Sequence, residues 1–167
     1  MQLILIRHAP AGDRVEWALT GQPDDERPLT KKGSAKMRDV AQGLARIFAK
    51  PRRVFSSPLL RARQTADILL EAYAGGDVEL APDLEPEADP QATLRWLKTL
   101  KNPQSVALVG HEPHLSSLLA LLVHGDADLE TMPFRKGGVA ILEIDDLHPG
   151  AARLKALLPP DILRTLA

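Results

Sequence analysis

The sequence predicts an α/β fold, a three-layer α/β/α sandwich around a mostly parallel sheet. Two observations carry that prediction. Short apolar runs alternate along the chain with segments of helical periodicity, the pattern of a sheet covered by helices on both faces. Three of those runs, Leu3–Ile6, Arg53–Ser56 and Val106–Val109, stop at polar residues that lead into a helical pattern. The chain has 167 residues, enough for one core without staples, so a single domain over 1–167 is expected.

Leu3-Ile4-Leu5-Ile6 is apolar on both parities, which suits a strand buried on both faces, and it runs into Arg7-His8. A helix is expected from about Thr30 to Ala49, with Met37, Val40, Ala41 and Leu44 at helical spacing and Thr30 as its cap. Arg53–Ser56 is a weaker strand. The helix after it, Leu59 to Tyr73, should begin with Ser57 as N-cap and Pro58 in the first helical position. Pro82–Pro90, rich in proline and acid, reads as a loop beside the sheet, followed by a helix to about Leu100. Val106–Val109 is another buried strand; it ends at Gly110-His111, and Pro113 opens a helix to about Val123. Val139–Ile144 reads as a further, antiparallel strand with Ala151–Leu158 as hairpin partner. Pro159-Pro160 starts a short terminal helix over Ile162, Leu163 and Leu166.

Composition excludes several function classes. There is no cysteine, which removes disulfides, thiol catalysis, cysteine-zinc sites and iron–sulfur clusters. Lys and Arg number 21 against 22 Asp and Glu, so nothing recommends nucleic acid or an anionic membrane as partner. Leu3–Ile6 is too short for a signal peptide, and the stretch Leu115–Val123 contains Ser116 and Ser117 and cannot span a bilayer. A soluble, cytoplasmic, monomeric protein is the expectation. No glycine-rich nucleotide motif occurs. His111-Glu112-Pro113-His114 is not the zincin pattern, since its histidines are three apart and Pro113 breaks the turn. Neither a cofactor nor a metal is expected.

Ligands of open α/β sheets bind outside the carboxyl ends of the strands. That rule gathers Arg7-His8, Ser56-Ser57 and Gly110-His111 on one rim. Paired imidazoles and guanidiniums make an anion site, because the arginine fork matches phosphate oxygens and stays charged. Arg61, in the first turn of its helix, adds free backbone N–H groups nearby. A neutral histidine facing such a site can attack phosphorus. Each piece also has a plainer reading. His8 alone could be structural, Arg61 could pair with Asp67 or Glu71, and Ser57 and Thr30 could be caps and nothing more. The joint arrangement is what points to chemistry.

These residues resemble the histidine phosphatase superfamily. Its opening Arg-His-Gly stands here as Arg7-His8-Ala9. Its S-x-x-x-R-x-x-Q-T segment stands as Ser57-Pro58-Leu59-Leu60-Arg61-Ala62-Arg63-Gln64-Thr65, and its late strand-end histidine as His111. Small size and Arg27-Pro28-Leu29-Thr30 are most similar to the SixA-type phosphohistidine phosphatases. The resemblance implies a phosphoglycerate-mutase-like fold without a large cap insertion. It implies His8 as the phosphorylated nucleophile, with Arg7, Arg61 and His111 clamping the phosphoryl group. Arg27 would line the pocket and Ser57 would lie beside the clamp.

Two departures matter. Ala9 replaces the glycine, so the backbone there must avoid glycine-only conformations. The phosphoglycerate mutase branch carries an acid in a Leu-x-Glu motif, but here Leu84-Glu85-Pro86 puts proline in that place. Glu85, Glu87 and Glu112 are the substitutes on offer. A placed acid is worth roughly 10²–10⁴-fold to an alkoxide leaving group, whereas imidazole departs more easily from phosphohistidine. A phosphoramidate substrate is therefore expected over an alkyl phosphate, and the resemblance implies that it is a phosphohistidine-bearing signalling or phosphotransfer protein. A small phosphorylated molecule handled by a general phosphomonoesterase is the first alternative. A non-catalytic module that binds phosphate or phosphohistidine is the second.

Overall fold

Six strands form one sheet in the order β3-β2-β4-β1-β5-β6 in the computed structural model, which describes residues 1–101, 104–129 and 133–167. They are β1 (Gln2–Arg7), β2 (Arg53–Ser56), β3 (Val78–Leu80), β4 (Ser105–Gly110), β5 (Val139–Ile144) and β6 (Ala152–Leu158). The pairs β1–β4, β2–β4 and β2–β3 are parallel, and β5 runs antiparallel to both β1 and β6. The helices are α1 (Arg14–Ala18), α2 (Lys31–Ile47), α3 (Leu60–Ala72), α4 (Pro90–Thr99), α5 (His114–His124) and α6 (Pro160–Arg164).

Alternation along the strands explains the layers. Leu3 and Leu5 of β1, with Val106 and Leu108 of β4, pack with α4 and α5. Ile4 and Ile6, with Ala107 and Val109, pack with α2, α3 and α6 on the opposite face. A strand covered on both faces has no reason to carry polar residues, hence the unbroken apolar runs. The chain moves outward from β1 to β2 and β3 through α2 and α3, then returns to β4 through α4 on the other face. Opposite directions on opposite faces are what a single crossover hand requires. Register then levels the strand ends: Arg7 lies beside Gly110, and Ser56 beside Val109.

The expected elements are present, with Thr30 capping α2 through the Gly33 N–H at 2.8 Å. Gly33 also permits a close approach, since a Cβ there would sit 1.9 Å from the Pro10 carbonyl oxygen. The start of α2 thus rests on the segment that follows His8. One cap differs from expectation. The helix after β2 begins at Leu60, with Leu59 at the N-cap and no side-chain cap bond. Ser57 stands too far back to cap, and its hydroxyl meets His111 at 2.9 Å and the Leu59 N–H at 3.3 Å instead. Helix α5 likewise starts one residue later, at His114, with Pro113 as its N-cap. Two elements carried no readable signal. Strand β3 is three residues of a half-covered edge, and α1 has five residues and buries none of them.

Candidate active site

Three parallel strand ends build the rim. The β1 end carries Arg7 and His8, the β2 end leads to Ser57 and on to Arg61 in α3, and the β4 end carries His111. His8 and His111 face each other with ring centroids 5.0 Å apart and are 6% and 2% exposed. The structure therefore brings His8, Arg7, Arg61, His111 and Ser57 together from separate junctions.

His8 Nδ1 lies 2.7 Å from its own neighbour's carbonyl, Ala9 O. A carbonyl only accepts, so Nδ1 carries the proton and Nε2 keeps its lone pair. Burial pushes the imidazole pKa down to about 3, and the charges of Arg61, Arg7 and Lys136 push the same way, against the Ala9 bond. His8 is thus neutral across the physiological range. His111 is driven to about 2, first by burial and then by His8 and the arginines. Ala9 is fully buried, is not among the residues with positive φ, and its N–H donates to Thr65 Oγ1 at 3.0 Å. Thr65 in turn donates to Arg61 O at 2.7 Å, which ties the end of β1 to the first turn of α3.

The guanidiniums are fixed by backbone and by one shared carboxylate. Arg7 donates to Phe134 O at 2.5 Å. Arg61 donates to Asp24 O at 2.8 Å, with its other terminal nitrogen 3.2 Å from Asp24 Oδ2. That partner replaces Asp67 and Glu71, the within-helix candidates. Arg27 donates to Asp24 Oδ1 at 2.8 Å and to Gly12 O at 2.7 Å. It therefore reaches the rim through the carboxylate it shares with Arg61. The hydrogen bond from Arg27 holds the Asp24 carboxyl below its ordinary pKa, and the field of Arg61 adds to this. Four buried nitrogens have no hydrogen-bond partner among the described residues; three belong to rim residues, Arg7 Nε, Arg61 Nε and His111 Nδ1, and the fourth is His114 Nδ1. Buried polar groups are nearly always paired in folded proteins, so three orphans at one rim mark where an acceptor belongs.

Of the candidate acids, Glu87 is exposed and Glu85 half-buried at the end of a 3-10 turn, Pro82–Leu84. Glu112 is different. It accepts from Ser116 Oγ at 2.5 Å and from the Phe134 N–H at 3.3 Å. Burial raises its pKa, opposed by those bonds and by the field of Arg7. His114 does not join His111 in a ligand pair; its Nε2 lies 2.9 Å from Thr93 Oγ1. Among the described residues no group of three His, Asp or Glu is arranged to hold a metal ion. No helix among them is long and apolar enough to cross a membrane.

Sequence reasoning gave Asp24 and Lys136 no part in the site. Asp24 sits in a 3-10 turn, Asp24–Glu26, whose acidic run reads as solvated surface. Lys136 lies in the turn before β5, where Gly137 N–H is shared between Arg7 O at 3.1 Å and His8 O at 3.2 Å. No local pattern announces either, because both depend on distant segments meeting.

A parallel-sheet rim that presents a neutral, oriented histidine among fixed guanidiniums is suited to phosphoryl transfer. The chain belongs to the histidine phosphatase superfamily: the model of branch 1 of that superfamily matches residues 3–86. Within it, the chain is SixA-like. Phosphohistidine phosphatase SixA of Escherichia coli is 31% identical over 154 residues, covering 90% of this chain and 89% of that protein. An uncharacterized protein of Picosynechococcus sp. is 34% identical over 158 residues, covering 93% and 90%. The solved structure of the protein histidine phosphatase SixA with tungstate superposes with a TM-score of 0.80 at 28% identity, covering 96% of this chain and 98% of that one.

Proposed function

We propose that the protein hydrolyses phosphohistidine on a signalling or phosphotransfer protein by way of a phosphorylated His8. The observation that carries the reading is the set of orphaned nitrogens, Arg7 Nε, Arg61 Nε and His111 Nδ1, around an imidazole whose Nδ1 is already engaged. His8 Nε2 attacks phosphorus, the substrate's P–N bond breaks with its electron pair going to the departing nitrogen, and that nitrogen takes a proton from solvent. Water then attacks the phospho-His8, the new P–N bond breaks, its electron pair returns to Nε2, and inorganic phosphate leaves. Arg7 and Arg61 hold the phosphoryl oxygens through both displacements, the electrostatic work on which phosphoryl transfer chiefly depends.

Ser57 orients His111 in this scheme. Its oxygen accepts the Leu59 N–H, so its own proton is free to go to His111 Nε2, which leaves the ring's proton on Nδ1, facing the phosphoryl group. Asp24 keeps Arg61 and Arg27 extended toward the rim. The substrate preference is supported by the place where Pro86 stands instead of an acid, and by the likeness to SixA.

The test is phosphate release from a phosphohistidine-bearing protein and from p-nitrophenyl phosphate, wild type beside His8→Ala. Turnover of the first that His8→Ala abolishes, with poor turnover of the second, is the expected result. Faster turnover of the ester would move the protein to the general phosphomonoesterases. No turnover of either, with phosphate binding intact in the variant, would leave a binding module.

A further inference from the structure

We propose that a cationic cleft beside His8, walled by Lys36, Arg135, Lys136 and Arg164, receives an acidic stretch of the protein whose phosphohistidine is hydrolysed. The inference rests on the phosphohistidine reading above and assigns how that substrate is selected. The cleft measures about 300 Å³, and its lining includes Ala9 and Pro10, the two residues after His8, and Gly137, whose N–H bonds the His8 carbonyl. Its apolar floor includes Met37, 1% exposed.

Charge decides what fits. The cleft's one carboxylate is Asp161, at 3.9 Å from Arg135, while Arg164 is 3.6 Å from Asp39 outside it. Lys36 and Lys136 have no carboxylate within ion-pair distance among the described residues. Two of the four cations are thus paired and two, Lys36 and Lys136, are not, which leaves a surface complementary to an acidic segment. Lys36 belongs to α2 and Arg164 to α6, and neither helix supplies a residue to the rim. These charges are therefore surplus to holding a phosphoryl group.

Lys136 joins the two regions. The bonds from Gly137 N–H to Arg7 O and His8 O, and from Arg7 N–H to Gly138 O at 3.1 Å, stitch its loop to the backbone of the rim. Burial and the nearby Arg7, Arg27 and Arg61 all depress the ammonium pKa, eased only by Asp13. Like charges held that close repel unless an anion lies over them. On this proposal the residues that flank a phosphohistidine inserted at His8 lie over the cleft. Glutamates or aspartates there relieve the repulsion, and their attraction adds to both capture rate and specificity.

Two synthetic peptides of equal length test this, one with phosphohistidine flanked by glutamates and one flanked by serines, beside phosphoramidate as the small substrate. The wild type should favour the acidic peptide by about tenfold in kcat/KM, with the preference shrinking as salt rises. In Lys36→Glu/Arg135→Glu the ratio between the two peptides should collapse toward one or invert. Equal kcat/KM for both peptides in the wild type, with phosphoramidate cleaved, overturns the cleft and leaves the phosphohistidine reading standing. A ratio that survives the charge reversal also overturns it, because acidity is then read elsewhere. If peptides and phosphoramidate alike are untouched, the phosphohistidine reading has failed and the cleft proposal falls with it. The wild-type comparison needs no variant to fold.

Discussion

His8 is a free base because two influences act together: burial first, and then the fields of Arg61, Arg7 and Lys136, hold the imidazole neutral. The Ala9 carbonyl chooses which nitrogen is left free. Glu112 is the second residue whose environment sets its use. It accepts the Phe134 N–H, and Phe134 O receives Arg7. The carboxylate thus supports the guanidinium through the backbone of one residue, Phe134. Glu112→Ala should lower kcat/KM by about tenfold through a misplaced Arg7, while Glu112→Gln, whose amide oxygen still accepts that N–H, should retain most activity. Steady-state kinetics on phosphoramidate and p-nitrophenyl phosphate distinguish the roles. Should Glu112→Gln fail as badly as Glu112→Ala on the ester, the carboxyl proton itself is used, and Glu112 is the acid missing at Pro86.

At the scale of elements, the rim is rigid because its strand ends are pinned from both sides. Thr65 binds the end of β1 to α3, and the loop before β5 covers Arg7 and His8 with backbone hydrogen bonds. Helix α6 is held by a close approach: a Cβ on Gly43 of α2 would lie 1.9 Å from the Leu163 carbonyl oxygen. Gly43→Ala should therefore push α6 away and destabilise the fold by about 1–3 kcal/mol, the usual range for overpacking. The midpoint of urea unfolding reads this directly. An unchanged midpoint would mean that α6 is not seated on α2. Its loss also removes Arg164 from the cleft, so the preference for an acidic peptide should weaken together with stability.

The molecule as a whole carries three buried neutral histidines, His8, His111 and His114, with pKa values near about 3, 2 and 4 against 6.5 for a free imidazole. Each binds a proton in the unfolded chain at a pH where the folded chain refuses it. Unfolding therefore takes up protons below about pH 6.5, so stability is full above that value and is lost as pH falls. Asp24, held below its ordinary pKa, acts in the same direction at lower pH. Thermal unfolding from pH 7.5 downward should show a falling midpoint, approaching a slope of about three protons near pH 5 in the empty protein. His114→Gln should reduce that slope by about one proton while leaving the two rim histidines in place. A midpoint flat to pH 5 would contradict the burial of these rings as neutral bases. Bound phosphate should raise the midpoint at every pH, since only the folded chain assembles the rim.

What could be read in the chain follows from the range of the forces involved. Leu3–Ile6 and Val106–Val109 are legible as buried strands because burial on two faces writes itself into consecutive residues. Arg7, His8, Arg61 and His111 are legible because each closes such a segment, and the sheet's topology then brings their ends level. Ser57 misled as a cap: its neighbours suit a helix start, yet its hydroxyl is claimed by His111, 54 positions away. Asp24, Lys136 and the cation-lined cleft were silent for the same reason, since each arises from segments far apart in sequence meeting over the rim. The sequence by itself determined the α/β class, the parallel strand ends and the residues that crowd them. The tertiary structure alone decided which nitrogen of His8 is free, which carboxylate Arg61 shares, and what lies beside the rim, because hydrogen-bond partners and fields act across space and leave no periodic trace along the chain.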